Sequence, residues 1–183
     1  MKHYRTRVLV STATALVGLS AAAAALLVIP ALATPPSGVS NPPWSPVIGR
    51  FNDIHATAKT DIDPGPATHF WRARIDINQA TDVHIVENVI HPGGTFGWHS
   101  HPGPSLVIVK AGTLSAYHAP DCTPQDFGPA SALGSTFIDE GHDLHMVRNN
   151  ATVDADVYVV SFVPAGFQRR IDEPNPSPST CPN

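Results

Sequence analysis

Charged residues are scarce in this chain of 183 residues, where Lys, Arg, Asp and Glu together make up 14%. Basic residues are the scarcer kind, with 11 Lys+Arg against 15 Asp+Glu, and they form no basic patch. This charge balance disfavours nucleic-acid binding and electrostatic docking to anionic lipid. The sequence also lacks a P-loop, a dinucleotide fingerprint and a Ser-His-Asp order. It therefore gives no support to nucleotide chemistry or nucleophilic hydrolysis.

Cysteine is also scarce, and its spacing restricts its use. The chain has only Cys122 and Cys181, with no CxxC pair. This pattern is not typical of a redox motif or a zinc ribbon. An even count in an oxidising compartment predicts one disulfide that ties the C-terminal tail to a loop. Two free thiols are the alternative.

The N-terminus has the pattern of a targeting segment. Lys2, Arg5 and Arg7 precede an apolar run, Val8–Ile29, and a small-x-small sequence ends at Ala33. We therefore predict a signal peptide over residues 1–33, cleaved after Ala33. An uncleaved membrane anchor is the alternative, because the run of 22 residues is long enough to span a bilayer.

Export changes the charge of the protein. The leader holds three Lys+Arg and no Asp or Glu, so the mature chain has 8 basic against 15 acidic residues, a net charge of −7. We expect a secreted or extracytoplasmic protein of the cell envelope, and the Ala-rich leader favours a bacterial source. Any contact with a membrane would go through the N-terminal segment alone.

The 19 prolines and 13 glycines disfavour long helices, and we expect one short helix at most. Pro-rich segments, residues 34–46 and 171–183, are predicted to be a linker and a tail around one domain, 47–170. A further strand at the domain's edge is predicted within Phe51–Ile62. Short β-branched and aromatic segments predict an all-β barrel or jelly roll; they are Phe70–Ile77, Val83–Ile90, Leu106–Lys110, Thr113–His118, Ser135–Asp139, His145–Arg148 and Asp156–Val163.

Two histidines stand two residues apart just before one of these strands, in GWHSHPGPSLVIVKAG. On a strand, His99 and His101 point to one face, whereas Trp98 and Ser100 point to the other. Paired imidazoles facing a barrel interior are typical of a metal site. We expect the third ligand to come from His145, at the start of another predicted strand.

These residues resemble the two motifs of the cupin superfamily. Gly93, five residues, His99-Ser100-His101, three residues, Ser105, six residues and Gly112 match the first motif. Asp139-Glu140-Gly141, His145 and Asn149 match the second, and Thr113 to Gly134 fits the variable loop between them. The resemblance implies a single cupin jelly-roll barrel that binds one divalent transition metal, with iron, manganese, zinc and copper as candidates.

The sequence departs from the family pattern at three points. Ser105 stands where the family has its glutamate ligand, and Asp139 stands where proline is usual. One additional residue separates Gly141 from His145, so His142 is a competing ligand, although the spacing to Asn149 favours His145. Without the glutamate, we expect three neutral imidazoles to leave the ion its full double charge and an open position.

Several side chains are candidates for the surroundings of the ion. Ser105 is expected to hydrogen-bond to a water on the metal, and Tyr117, Glu140 and His142 are candidate cavity or proton-transfer residues. We assign no role to His84, His91 and His118, which are more often surface or hydrogen-bonded residues. Glu87 is a weaker candidate for a distant carboxylate.

Two functional hypotheses remain open at the level of the sequence. Three-histidine cupins include thiol dioxygenases and dioxygenases that cleave carbon-carbon bonds, so the resemblance allows a metal-dependent oxygenase acting on a small molecule. A non-catalytic module that binds a small ligand or a metal is the alternative. A homodimer formed through the edge at Phe51–Ile62 and a monomer are equally compatible with the sequence.

Overall fold

Thirteen β-strands form the regular structure of the residues that the computed structural model describes, which are 32–41, 47–61 and 70–183. No helix occurs in these residues. The strands are β1 Ser37–Ser40, β2 Val47–Phe51, β3 Ile54–Asp61, β4 Phe70–Ile77, β5 Thr81–Thr95, β6 His99–Ser100, β7 Ser105–Ala111, β8 Leu114–His118, β9 Gln125–Phe127, β10 Thr136–Asp139, β11 His145–Arg148, β12 Ala155–Pro164 and β13 Ile171–Asp172.

Eleven of the strands belong to one antiparallel sheet that curls into a barrel. Its main path runs β10-β7-β12-β5-β11-β6-β13, while β1 and β2 pair with β5, and β8 pairs with β11 and β9. The long strand β5 joins the two sides, because it pairs with β12 over its first part and with β11 at its end. The described strands of this sheet therefore form an all-β jelly-roll barrel, as predicted.

Alternating side chains fill the barrel interior. Strand β12 alternates buried and half-buried residues along its whole length, and β7 alternates buried and exposed residues over Ser105–Lys110. The main core is apolar, and a second buried cluster lies at one end, around Trp98 and Met146. The polar residues of the site occupy inward positions on these same strands.

Two predicted elements differ from the structure. The strand predicted within Phe51–Ile62 exists as β3, but β3 pairs with β4 in a separate hairpin and not with the barrel sheet. The sheet also extends into both Pro-rich segments, because β1 pairs with β5 and β13 pairs with β6. Every residue except proline can donate a backbone hydrogen bond to a sheet. The other residues of these segments can therefore form short strands that a Pro-rich composition does not predict.

The predicted disulfide is present. Cys122 and Cys181 are bonded across 59 positions of sequence, and both are buried. The predicted leader lies outside the described residues except for Leu32 and Ala33, the last two residues of its cleavage sequence. Within residues 32–41, 47–61 and 70–183, no helix is long and apolar enough to cross a membrane.

Candidate metal centre

Three buried histidines meet at one end of the barrel. His99 begins β6 and His145 begins β11, where the two residues are direct cross-strand partners. His101 follows β6 and is held by its backbone carbonyl, which accepts a hydrogen bond from the backbone N–H of His142 at 2.7 Å. One ligand atom from each imidazole lies within 4.8 Å of the other two.

Each imidazole is fixed by a backbone carbonyl. The Nδ1 atoms donate to carbonyl oxygens: His99 to Gly97 at 2.8 Å, His101 to Arg169 at 2.6 Å and His145 to Asp143 at 2.9 Å. A carbonyl oxygen only accepts, so Nδ1 carries the proton in each neutral ring. The Nε2 atoms then keep their lone pairs, as metal-ligating histidines do.

Burial keeps these rings neutral. It lowers the pKa of His99 well below the ordinary value of 6.5, and it lowers the pKa of His101 to about 4. It also lowers the pKa of His145, against the nearby carboxylate of Asp139, which raises it. Neutral imidazoles at pH 7 are the protonation state that divalent transition metals require.

A carboxylate lies beside two of the rings. Asp139 ends β10, its side chain is 2% exposed, and its Oδ2 is 3.3 Å from Nε2 of His101 and 3.2 Å from Nε2 of His145. Its other oxygen accepts from the backbone N–H of Gly141 at 3.1 Å. The site therefore contains a carboxylate, contrary to the expectation of a cluster made of imidazoles alone.

Ser105 takes part in a polar row across the barrel interior. The register makes Ser105 the direct neighbour of Asp139 on one side and of Ser161 on the other, and Ser161 is opposite His84. The Ser105 and Ser161 hydroxyls are hydrogen-bonded at 2.8 Å, so Ser105 has a protein partner. Nε2 of His84 is buried and has no hydrogen-bond partner among the described residues.

The other three candidate cavity residues lie outside the centre. Tyr117 packs in the cluster around Trp98, and its hydroxyl accepts from Asn150 at 2.7 Å, because it occupies the face of β8 turned away from the histidines. Glu140 and His142 are exposed on the turn after β10. His142 has a positive φ of 57° and contributes only its backbone N–H to the site.

Three other histidines of the described chain have surface partners. His91 contacts Asp154 and Ser40, His55 contacts Asp76, and His118 lies 3.4 Å from Asp143. The candidate distant carboxylate Glu87 is paired with Lys110 at 2.9 Å. These contacts pair the side chains with groups other than the three clustered histidines.

Asn149 of the second motif has a structural role. It is fully buried, and its amide donates to the carbonyls of Ile90 at 2.8 Å and Val153 at 2.7 Å. Its oxygen accepts from the backbone N–H of Ala151 at 2.9 Å. The side chain thus closes the turn after β11 and fixes the strand that carries His145.

Two arginines lie at the opening of the centre. A cavity of about 40 Å³ is lined by Asn88, Phe96, His99, His101, Val159, Arg169 and Arg170. A larger cavity of about 260 Å³ shares both arginines, Asn88 and Phe96. Arg170 is bonded to Asp172 at 2.6 Å, whereas the side chain of Arg169 has no carboxylate partner in the described structure. Burial lowers the pKa of Arg169, and Arg170 lowers it further.

Sequence reasoning missed Asp139 as a site residue, and it missed Arg169 entirely. One signal for Asp139 was available, since it shares the inward face of β10 with Phe137. Arg169 lies in a loop without periodicity, so no local pattern marks it. Both residues reach the site through pairings distant in sequence.

No protein-family model matches this chain, and no curated protein matches it. Several solved structures are similar. A conserved protein with a double-stranded β-helix domain from Klebsiella pneumoniae is 13% identical, with a TM-score of 0.42, over 68% of this chain and 86% of that one. A cupin-like protein from Thermotoga maritima is 16% identical, with a TM-score of 0.43, over 54% of this chain and 69% of that one.

An oxalate oxidase is also similar, at 19% identity and a TM-score of 0.37, over 45% of this chain and 46% of that one. This chain thus spans less than half of that protein. These are likenesses of fold and carry no activity with them. The barrel, with the three motif histidines converging inside one end, agrees with the resemblance of the sequence to the cupin motifs.

Proposed function

We propose that this protein is an extracytoplasmic metal-binding cupin that holds one divalent transition metal through His99, His101 and His145. The observation that carries the proposal is the convergence of three buried, neutral imidazoles whose Nδ1 atoms are all occupied by carbonyls. This donor set suits iron, manganese, zinc or copper. The Cys122–Cys181 disulfide supports an oxidising compartment outside the cytoplasm.

Metal analysis of protein purified without chelating resin tests this proposal. We expect close to one ion per chain, and added metal at about 100 times Kd should stabilise the metal-free protein by about 2.7 kcal/mol. His99→Ala with His101→Ala should abolish the stabilisation. His142→Ala is the matched control, because that imidazole is exposed and outside the cluster. Absence of metal together with absence of stabilisation would exclude the proposal.

We propose further that the centre receives a small anionic molecule. Arg169 supports this ligand class, because its half-buried guanidinium lines both cavities and has no carboxylate partner among the described residues. Such a group gains most from an anion, and it can bind a carboxylate through two parallel hydrogen bonds. The inner cavity of about 40 Å³ admits only a small group, such as one end of an organic acid.

Thermal unfolding of the zinc-loaded protein with acetate or malonate tests the ligand class. We expect both probes to stabilise the wild type and Arg169→Met to weaken their affinity by about tenfold or more. The substitution leaves the Arg169 carbonyl that holds His101 in place. Arg72→Met, on the exposed hairpin, is the control. Equal stabilisation of Arg169→Met and wild type would exclude this role.

A metal-dependent oxygenase is our proposal for the activity. The ion would supply Lewis acidity or redox chemistry. The chain's own residues would do the rest: Arg169 orients the anion, and Phe96 and Val159 narrow the approach and exclude water. Oxygen uptake by the iron-loaded protein with candidate thiols, diketones and phenols tests it, with His145→Ala as the inactive control.

The small inner cavity favours a second candidate, a non-catalytic module that binds a small ligand or a metal. A volume of about 40 Å³ leaves little space for a substrate beside the ion. The two functions separate experimentally, since the module would bind metal and carboxylate without consuming oxygen.

A further inference from the structure

One carboxylate oxygen of Asp139 faces the Nε2 lone pairs of two histidines, and none of these atoms has a proton to donate to the others. Its Oδ2 lies 3.3 Å from Nε2 of His101 and 3.2 Å from Nε2 of His145, in a site where all three side chains are buried. Both histidines already use their Nδ1 protons on carbonyls. In the neutral rings, Nε2 is therefore an acceptor, like the carboxylate oxygen that approaches it.

Oδ2 is also one of the few buried polar atoms of the described chain without a hydrogen-bond partner. Its companion oxygen is held by the backbone N–H of Gly141 at 3.1 Å, which fixes the direction of the carboxylate. A buried anion without a partner is strongly unfavourable. Converging acceptors of this kind are stabilised by a cation placed between them.

The sheet register explains where this carboxylate comes from. Ser105 occupies the glutamate position of the first motif, and Asp139 is its direct cross-strand partner on β10. Side chains of such partners stand about 5 Å apart on the same face of a sheet. A carboxylate from Asp139 therefore enters the centre from a position next to the one that a glutamate at 105 would use.

We propose that Asp139 is the fourth, anionic ligand of the metal and replaces the missing glutamate from the neighbouring strand. The inference rests on the proposed metal-binding function. With Asp139 bound, a divalent ion and its ligands carry a net charge of +1. This differs from the full double charge that the sequence predicted from the absence of a carboxylate at Ser105.

Asp139→Asn tests the proposal because the amide is isosteric and uncharged. We expect affinity for Zn²⁺ and Mn²⁺, measured by calorimetric titration, to fall by about tenfold or more. In the metal-free protein the introduced NH₂ can donate to a histidine Nε2, so the melting temperature should stay the same or rise. If the carboxylate only supported the fold, Asp139→Asn would keep the metal affinity of the wild type and would lower the melting temperature of the metal-free protein.

The exchange variant Asp139→Ser with Ser105→Glu gives the second test. It moves the carboxylate back to the family position and should recover most of the affinity that Asp139→Asn loses. Ser105→Ala is the matched control and should keep the affinity of the wild type, because it removes only the hydrogen bond to Ser161.

The outcomes separate this inference from the proposed function. Wild-type protein that binds no metal would remove the function and the inference together. Binding that is lost in His99→Ala with His101→Ala but unchanged in Asp139→Asn would overturn the inference alone. The spectrum of bound Co²⁺ gives a further readout, since loss of a ligand from its coordination sphere changes the visible bands, and identical spectra in wild type and Asp139→Asn would also overturn it.

Discussion

The disulfide holds the C-terminal tail against the end of the barrel that carries the metal centre. Around it, Trp98 packs with Tyr117, Met146 and both cysteines. The indole Nε1 of Trp98 donates to the carbonyl of Pro182 at 2.8 Å, and Arg148 donates to the carbonyl of Asn183 at 2.5 Å. Because Trp98 precedes His99, the tail supports the backbone from which that histidine projects.

Replacing both cysteines, Cys122→Ser with Cys181→Ser, should therefore destabilise the protein strongly. The bond closes a loop across 59 positions of sequence. Releasing a loop of this length increases the entropy of the unfolded chain by an amount worth about 4 kcal/mol at 25 °C. For a chain of this size, the loss corresponds to a fall of about 10 °C in Tm.

Guanidinium unfolding of the metal-free wild type and the double variant measures this difference, and tryptophan fluorescence adds a local readout. Trp98 is fully buried, whereas Trp71 is 52% exposed on the hairpin. Release of the tail should shift the emission of Trp98 to longer wavelength in the folded variant. A loss of stability below about 1 kcal/mol with unchanged emission would refute the argument that the bond fixes the tail.

Three further predictions follow from the site and its supports. Acid should destabilise the metal-free protein, because the pKa of His101 is about 4 in the folded state and 6.5 ordinarily, so the unfolded state binds the proton first. The free energy of unfolding, measured with denaturant, should fall by about 3 kcal/mol between pH 6.5 and pH 4. Equal stability at the two pH values would contradict this. Gly97→Ala should lower the free energy of unfolding by about 2 kcal/mol or more and weaken metal binding, because φ is +67° and a Cβ would lie 1.9 Å from the carbonyl oxygen of Thr34. Gly134→Ala is the control and should lower it less in the same assay, because Gly134 has a φ of +79° but open space around it. Equal losses in the two variants would exclude the clash. Asn149→Ala should lower the unfolding free energy by about 2 to 4 kcal/mol, because it leaves buried carbonyls without donors, and a loss under about 1 kcal/mol would show that water replaces the amide.

Local periodicity predicted most of the barrel. The bounds of β4, Phe70–Ile77, and β11, His145–Arg148, are those predicted, and β4 is rich in aromatic and β-branched side chains. Strands β6, β9 and β13 have two or three residues, which is too short for any alternation to appear. Their pairing is decided by tertiary contacts rather than by propensity.

The location of the hairpin strands shows a second limit. Periodicity identified β3 and β4 as strands, but it carries no information on partners, and within the described part of the chain the two pair with each other. The same limit applies to Tyr117. It lies in the predicted strand, but the sequence does not show which face of that strand points to the histidines. Alternation gives two faces, and only the pairing of β8 with β11 decides which of them meets the histidines.

The carboxylate of the centre shows most clearly why a linear motif is an incomplete description of a site. His99 and His101 are two positions apart, so the alternation of an extended segment predicts that they share a face. Ser105 and Asp139 are 34 positions apart and become neighbours only through the β7–β10 register. A motif records which position holds the ligand, whereas the ion requires only a carboxylate oxygen at the right point of the cavity. Adjacent strands offer two positions that reach that point, so loss of the glutamate at one can be offset by an aspartate at the other without changing the barrel.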